Sequence, residues 1–153
     1  MLRTGLDYTR RLFGSPPYFQ WSYDAPAGWV MTIVDRDELR WRPPDEPVVG
    51  GFSMRVKLVN ENRTTEEMVE QKKAAFLLAY DDVVVLEEDE DSISFSYRDP
   101  EARTQRFNRF FWTTRPGSTE ATFEMSVVGR KVDVPGLTDL FEHVAASIRK
   151  VEG

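Results

Sequence analysis

Residues 52–59 read Phe-Ser-Met-Arg-Val-Lys-Leu-Val, and this stretch decides the fold class. Its apolar side chains at 52, 54, 56 and 58 alternate with polar ones at 53, 55 and 57. A period of two places each set on one face of a β-strand, so the stretch predicts a strand with one face in a core. The same alternation recurs in Ser92-Ile-Ser-Phe-Ser-Tyr97 and in residues 119–128.

Further strands and two helices complete the predicted order. Aromatic, apolar or alternating stretches predict strands at 18–23, 29–34, 39–42, 83–86 and 105–113. Thr64-Thr-Glu-Glu67 matches a capping box, so a helix should begin there and run to about residue 80. A terminal helix is predicted from Leu137, Leu140, Phe141, Val144, Ala145, Ile148 and Val151, with Pro135 in its first turn and Arg149 and Lys150 near its C-terminal end.

This order predicts an α+β fold with a mostly antiparallel sheet flanked by helices. Strands joined by short turns must pair antiparallel, because parallel pairs need long crossovers. The order is β-β-(β)-β-α-β-β-β-β-α. A chain of 153 residues fits one domain. We therefore expect a flexible leader over residues 1–17, ended by Pro16 and Pro17, and a single α+β domain over 18–153.

Composition and charge exclude several classes of function. Cysteine is absent, which removes disulfides, thiolate metal sites and cysteine nucleophiles. The formal net charge is −6 and no stretch is strongly basic, so a nucleic-acid partner is not expected. No run of 18 apolar residues exists, so an integral membrane segment is not expected either. As written, the chain is expected to be cytoplasmic, or exported if it is an excised domain.

No catalytic or metal site emerges from the residue pattern. His143 is the only histidine, and no G-x-S-x-G elbow supplies a nucleophile for it. The acidic run 87–91 lacks the alternating ligands and glycine of a calcium loop, and it is better interpreted as a solvated turn. We therefore expect neither enzymatic activity nor a cofactor or metal.

The aromatic residues provide the best indication of a binding surface. Four tryptophans either pack in the core or line a pocket or partner-binding face. Trp41 is flanked by Arg40 and Arg42 and followed by a proline-rich loop. Arginine and tryptophan are favoured at interface hot spots, so Arg40, Trp41 and Arg42 are predicted to form a partner-binding patch.

Short motifs give the chain a resemblance to a known family. They are Pro26-Ala-Gly-Trp29, Arg55-Val-Lys-Leu58, the helix from Thr65, Phe95-Ser-Tyr-Arg98 and Ser147-Ile-Arg149. In order of elements, residues 18–151 resemble the PsbP-like fold group, and within it the type VII secretion-associated proteins of actinobacteria. The resemblance implies a PsbP-like α/β/α sandwich and a service role in a larger assembly. The cysteines common in exported domains of that family are missing here.

Three functional interpretations follow from these observations. The first is a non-catalytic protein-binding or accessory domain, an adaptor or a chaperone-like module linked to secretion. The alternative is a carrier or enzyme that holds a small apolar ligand between the sheet and a helix. Burial of Phe107 and Phe111 on one face of a strand, with Phe110 and Trp112 on the other, would argue against such a cavity. A hydrolase has no identifiable nucleophile, base and orienting group. The partner is expected to be a protein, and a homodimer through exposed strand edges stays open.

Overall fold

The computed structural model describes residues 7–13, 21–35, 37–45, 52–59, 64–100, 104–115, 121–130 and 137–151. Within these residues the chain forms ten strands and two helices. In chain order they are β1 (Tyr8–Phe13), β2 (Trp21–Pro26), β3 (Val30–Asp35), β4 (Glu38–Arg42), β5 (Ser53–Val59), α1 (Thr65–Ala79), β6 (Asp81–Glu88), β7 (Ser92–Asp99), β8 (Thr104–Arg115), β9 (Ala121–Gly129), α2 (Leu137–Ser147) and β10 (Arg149–Lys150).

The strands form two antiparallel sheets. The large sheet has seven strands in the order β3-β4-β5-β9-β8-β7-β6, and the small sheet has three in the order β1-β2-β10. Every pairing in both sheets is antiparallel. The predicted α+β class and the predicted order of strands and helices are therefore confirmed, with β1 and β10 as additions.

Strand β1 lies inside the segment that the sequence indicated as a flexible leader. Tyr8–Phe13 pairs with β2 along its whole length. The Arg10 guanidinium forms an ion pair with Asp24 at 3.1 Å and donates to the Ser147 carbonyl at 2.6 Å. These partners are distant in sequence, so the weak apolar pattern of the segment does not reveal the strand. Residues 1–6 and 14–17 of the expected leader lie outside the described residues.

The large sheet is buried on both faces by different elements. We call one side the α2 face, which carries Met54, Val56 and Met125, and the other the α1 face, which carries Phe95, Phe110 and Trp112. The register places Met54 opposite Val127 and Val56 opposite Met125. On the other side it places Ile93 opposite Phe110. Strand β8 contributes to both cores, since Phe107 belongs to one buried cluster and Phe110 and Trp112 to the other. This confirms the two-sided burial of β8.

Strand β2 and helix α2 cover the α2 face. The Trp21 ring meets Phe123 edge-on, with 5.2 Å between ring centroids, and Phe141 packs against Phe111 at 6.2 Å. Apolar spacing at 140, 141, 144, 145 and 148 turns one side of α2 toward this core, as the helical pattern predicted. The space between α2 and the sheet is thus filled by side chains.

Helix α1 covers β7 and β8 on the α1 face. Its first turn has the predicted capping box: the Glu67 N–H donates to Thr64 Oγ1 at 3.1 Å, and the Thr64 N–H donates to the Glu67 carboxylate at 3.5 Å. The Phe76 ring stacks on Phe95 with 4.3 Å between centroids. Stacked and edge-on rings add stabilisation beyond the area that they bury. The helix is therefore fixed at both its first turn and its centre.

The terminal helix is shorter than the periodicity predicted. Helix α2 ends at Ser147, and Arg149 and Lys150 pair with β2 as strand β10. Ser147 Oγ donates to the Val144 carbonyl at 2.6 Å and accepts the Asp24 N–H at 2.8 Å. This side chain competes with the backbone for helical hydrogen bonds and joins the helix end to β2. The placement of Arg149 and Lys150 in a last helical turn was wrong, and Pro135 lies outside the described residues.

Over the described ranges, neither helix combines the length and the apolar character that crossing a membrane requires.

Two methionines test the assignment of core and surface. Met125 is fully buried on the α2 face, whereas Met31 on β3 is 46% exposed. We expect Met125→Ala to lower the free energy of unfolding by about 2–5 kcal/mol, because a cavity remains in a packed core. Met31→Ala should change it by no more than about 0.5 kcal/mol. Urea denaturation of both variants measures the difference, and equal losses would contradict the assignment.

Candidate functional site

The structure separates the three residues of the predicted binding patch. Trp41 is 1% exposed and points into the core of the α2 face. Its Nε1–H donates to the Tyr23 hydroxyl at 2.7 Å, and the Arg11 guanidinium lies 5.6 Å from the centre of its ring. Arg40 and Arg42 alternate with Trp41 along β4, so they belong to the α1 face. Trp41 is a core residue, and partner binding by Arg40 and Arg42 stays a prediction.

The Tyr23 hydroxyl is as deeply buried as the indole that it binds. Burial raises the pKa of Tyr23 above its ordinary value of 10.0, while the hydrogen bond from Trp41 and the charge of Arg11 act in the opposite direction. The neutral phenol is therefore favoured by folding. This contact joins the small sheet to the large one through the core of the α2 face.

The most exposed apolar part of the sheet is its edge strand β3. This strand stands first in the large sheet and pairs on one side with β4. All six of its residues are exposed, and Ile33 is 67% exposed. Val30, Met31 and Val34 are exposed as well. An edge with unpaired backbone groups and apolar side chains is a template for another strand.

The opposite edge, β6, differs in two physical respects. Its register with β7 shifts twice, between Asp81 and Val84 and between Val85 and Glu87. Its ends carry acidic residues at 81, 82, 87 and 88. Irregular pairing and charges are the devices by which proteins protect sheet edges. Strand β3 has a single shift, at its end between Ile33 and Asp35, and its exposed residues from 30 to 34 are uncharged. Strand β6 also exposes Val84 and Leu86, so the two edges differ in charge and regularity of pairing rather than in the presence of exposed apolar side chains.

A basic strip adjoins this edge on the α1 face. We define it as Arg40 and Arg42 of β4 and Arg55 and Lys57 of β5. Arg40 lies directly opposite Arg55 across the two strands. Burial, followed by the neighbouring Arg55 charge, lowers the pKa of Arg40 from its ordinary value. Like charges directly opposite each other destabilise a sheet, and Glu38, which pairs with Arg55 at 3.5 Å and favours the charged form of Arg40, offsets part of this repulsion.

A cleft continues the basic strip toward helix α1. It has a volume of about 240 Å³ and lies between α1 and the sheet. Glu124 is held in it by Lys72 at 3.4 Å and by the Trp112 Nε1–H at 3.1 Å. The Lys72 ammonium also lies 4.4 Å from the centre of the Phe110 ring. The lining includes Lys57, Val59, Met68, Lys72, Trp112 and Glu124.

The single histidine joins the terminal helix to the small sheet. His143 Nε2 lies 3.0 Å from an Asp24 carboxylate oxygen, and its ring stacks on Tyr8 with 3.6 Å between centroids. Ser147 is near, but its hydroxyl already bonds the Val144 carbonyl and the Asp24 N–H. A nucleophile with both hydrogen-bonding directions occupied does not complete a triad. The cluster therefore acts as a structural connection in this fold.

A second cleft and the placement of metal-ligating side chains are relevant to the binding of small molecules and ions. A second cleft of about 390 Å³ is lined by Asp81, Asp82, Arg98 and Pro100, so its walls are largely charged. Neither this cleft nor the one at α1 has the mostly apolar lining of a typical small-molecule pocket. Among the described residues, no group of three or more His, Asp or Glu side chains is placed to hold a metal ion.

Comparison with known proteins supports the fold. No family model matches the chain, and no curated protein matches it. A crystal structure of a protein from Bacteroides thetaiotaomicron VPI-5482 is similar, with a TM-score of 0.56 and 15% identity over 94% of this chain. The match covers 48% of the Bacteroides protein, so this chain spans about half of its length. LpqN from Mycobacterium tuberculosis, which is involved in cell envelope biogenesis, is similar with a TM-score of 0.55.

The LpqN match covers 97% of this chain and 93% of LpqN at 10% identity. At such identities the two matches show a shared fold and nothing further. The resemblance to the PsbP-like group and to type VII secretion-associated proteins stays a prediction.

Sequence reasoning predicted a patch at Arg40, Trp41 and Arg42 and did not identify Arg55 and Lys57 as cross-strand neighbours of β4. The signal that could have found them is the cross-strand register, which sequence alternation does not supply. It also missed β3 as an open edge, because an alternating apolar strand looks the same at the centre and at the margin of a sheet.

The Tyr23–Trp41 contact leads to a prediction about the free energy of unfolding at alkaline pH. A folded-state pKa above the ordinary value of 10.0 means that the stabilisation is complete below pH 10 and is lost as pH rises beyond it. Tyr23→Phe should cost about 1–3 kcal/mol at neutral pH, because the Trp41 N–H is left buried without an acceptor. It should also flatten the loss of stability above pH 10.

Urea denaturation at several pH values checks both effects. Tyr8→Phe is the comparison, since that half-buried ring should flatten the curve less. A Tyr23→Phe curve that runs parallel to the wild type at alkaline pH would show that this phenol is not protected by the fold.

Proposed function

We propose that this protein is a non-catalytic, protein-binding accessory module that accepts an extended segment of a partner as an additional strand on β3. The observation that carries the proposal is the exposure of every residue of β3, which among the described strands pairs with β4 alone and so forms an edge of the large sheet. Main-chain hydrogen bonds would supply affinity, and side chains at alternate positions would supply specificity.

The exposed side chains define the chemistry of the partner segment. Met31 and Ile33 lie on the α2 face of the strand, since they are opposite Trp41 and Leu39. Val30 and Thr32 lie on the α1 face, opposite Arg42 and Arg40. An added strand would therefore meet two apolar side chains on one face, and a valine and a threonine bordered by arginines on the other. An extended apolar segment that needs shielding, as in a chaperone or adaptor role, fits this edge.

The setting that we propose is the bacterial cell envelope or its secretion machinery. Two observations support it. The fold is shared with LpqN, which is involved in cell envelope biogenesis. The short motifs from Pro26 to Arg149 resemble type VII secretion-associated proteins. In this proposal Arg40 and Arg42 flank the bound segment, while Trp41 supports β4 from the core.

The ligand-carrier alternative has no comparable support. Side chains of β2 and α2 fill the space above the α2 face, and those of α1 pack on β7 and β8. Of the two clefts described above, one is lined largely by charged residues, and the other mixes Lys57, Lys72 and Glu124 with apolar side chains. A protein-binding role uses surfaces that the structure exposes, whereas a carrier would need the packed core to open.

Placing a charge on the edge tests the proposal. Lysine on an edge strand opposes strand addition, so Ile33→Lys should abolish specific capture of a partner from the native host lysate. Ile33 is well exposed, so the substitution should leave the fold and its thermal unfolding almost unchanged. Quantitative mass spectrometry of the captured proteins is the measurement.

Leu78→Lys is the matched control, because Leu78 on α1 is 91% exposed and lies away from the β3 edge. It makes the same apolar-to-lysine change and should capture the same proteins as the wild type. A homodimer through β3 would appear as a dimer in native mass spectrometry that Ile33→Lys dissociates. The proposal fails if Ile33→Lys retains every specific partner of the wild type.

A further inference from the structure

We infer that the basic strip and the α1 cleft beside it bind an acidic polypeptide segment that continues from the strand on β3. The position of the segment rests on the proposed function. What the inference adds is that the segment is acidic. The inference begins from a contrast in electrostatics: the chain as a whole carries −6, yet four cations gather on the α1 face of two adjacent strands.

The acidic side chains next to the strip are already engaged. Glu38 pairs with Arg55 at 3.5 Å, and Glu124 pairs with Lys72 and accepts from Trp112. Over the part of the chain that the structure describes, Arg40 and Lys57 form no ion pair, and Arg40 Nε is buried without a hydrogen-bond partner. A buried guanidinium nitrogen without an acceptor is costly. The Arg40 side chain as a whole is only partly buried, so a carboxylate from outside would bind its terminal guanidinium nitrogens rather than Nε.

The cross-strand pair of arginines points the same way. Arg40 and Arg55 face each other on neighbouring strands, where like charges repel. Glu38 offsets part of this repulsion through its ion pair with Arg55, and a partner carboxylate placed between the two arginines would offset the remainder. Arginine suits the task because its planar guanidinium can bind a carboxylate through two parallel hydrogen bonds.

The dimensions fit a continuous segment of polypeptide. Three strand spacings separate β3 from β9, which is about 14 Å and corresponds to about four or five residues of extended chain. A partner whose apolar strand pairs with β3 would therefore place acidic residues over Arg40, Arg55 and Lys57 within about five positions. The strip also runs from the only edge for which we propose strand addition.

The fixed carboxylates favour a polypeptide over a polyphosphate. Glu38 lies opposite Lys57 on one side, and Glu124 lies opposite Lys57 on the other. A phosphodiester backbone carries a charge at every residue and has no hydrogen-bond donor to offer these two carboxylates. A peptide, including one that is acidic at every position, can place carboxylates on the arginines and offer backbone N–H groups to Glu38 and Glu124.

A direct binding measurement tests the inference without requiring β3. The probe is a fluorescently labelled deca-glutamate peptide, and its anisotropy is followed at low ionic strength. The double variant Arg40→Gln/Lys57→Gln should weaken binding about fivefold to tenfold, because two exposed charge contacts are lost. Added salt should weaken the binding to the wild type as well.

The control removes two positive charges elsewhere. Lys73→Gln/Arg98→Gln changes the net charge equally, but neither residue belongs to the strip, and it should change the affinity less than about twofold. Equal weakening by both double variants would overturn the inference, because only net charge would then matter. Tighter binding of an oligothymidylate or of phosphatidylglycerol vesicles than of deca-glutamate, with the same dependence on Arg40, would overturn it in favour of another anionic partner.

The Ile33→Lys variant separates this inference from the proposed function. It should bind deca-glutamate as the wild type does, because the peptide needs no strand on β3. If the strip variants leave deca-glutamate binding unchanged while Ile33→Lys still abolishes partner capture, the strand-addition proposal stands and the acidic-segment inference fails.

Discussion

The structure depends on one buried polar contact, the hydrogen bond from the Trp41 indole to the Tyr23 hydroxyl. Burying an indole is favourable only if its N–H finds an acceptor, and the acceptor here comes from a different sheet. The contact therefore determines which face of β4 turns inward and where β2 crosses the large sheet. It also fills part of the α2 face near β4 with two large buried rings.

The way the two faces are covered also determines which parts of the large sheet remain exposed. Strand β2 and α2 close one face of the large sheet, and α1 closes β7 and β8 on the other. Strand β3 is exposed along its whole length, and the four residues of the basic strip beside it are partly buried. The β3 edge and the basic strip adjoin because Arg40 and Arg42 of β4 lie directly opposite residues of β3. An apolar edge beside a basic strip favours a partner that is itself apolar and then acidic.

The sequence predicted those features that depend on neighbours along the chain. The capping box at Thr64 and the alternation in residues 52–59 were confirmed. Both depend only on residues close in sequence, since a cap involves neighbours within one turn and the alternation of side chains follows from the backbone of a single strand. The features that it could not predict depend on pairing across long separations. The exposure of Trp41 was misjudged, since its flanking arginines suggested a surface while Tyr23 holds it inside. Strand β1 and the early end of α2 depend on Asp24 and Ser147, which lie 123 positions apart.

The central claim is that β3, and not another surface, receives the partner. Photo-crosslinking measures this most directly, with p-benzoylphenylalanine in place of Val34 on β3 and, in a second protein, in place of Val84 on β6. Both side chains are exposed, so either substitution should be tolerated. The account predicts that irradiation in the native host joins the partner to position 34 and leaves position 84 unlinked. Crosslinks from position 84 with none from position 34 would contradict it.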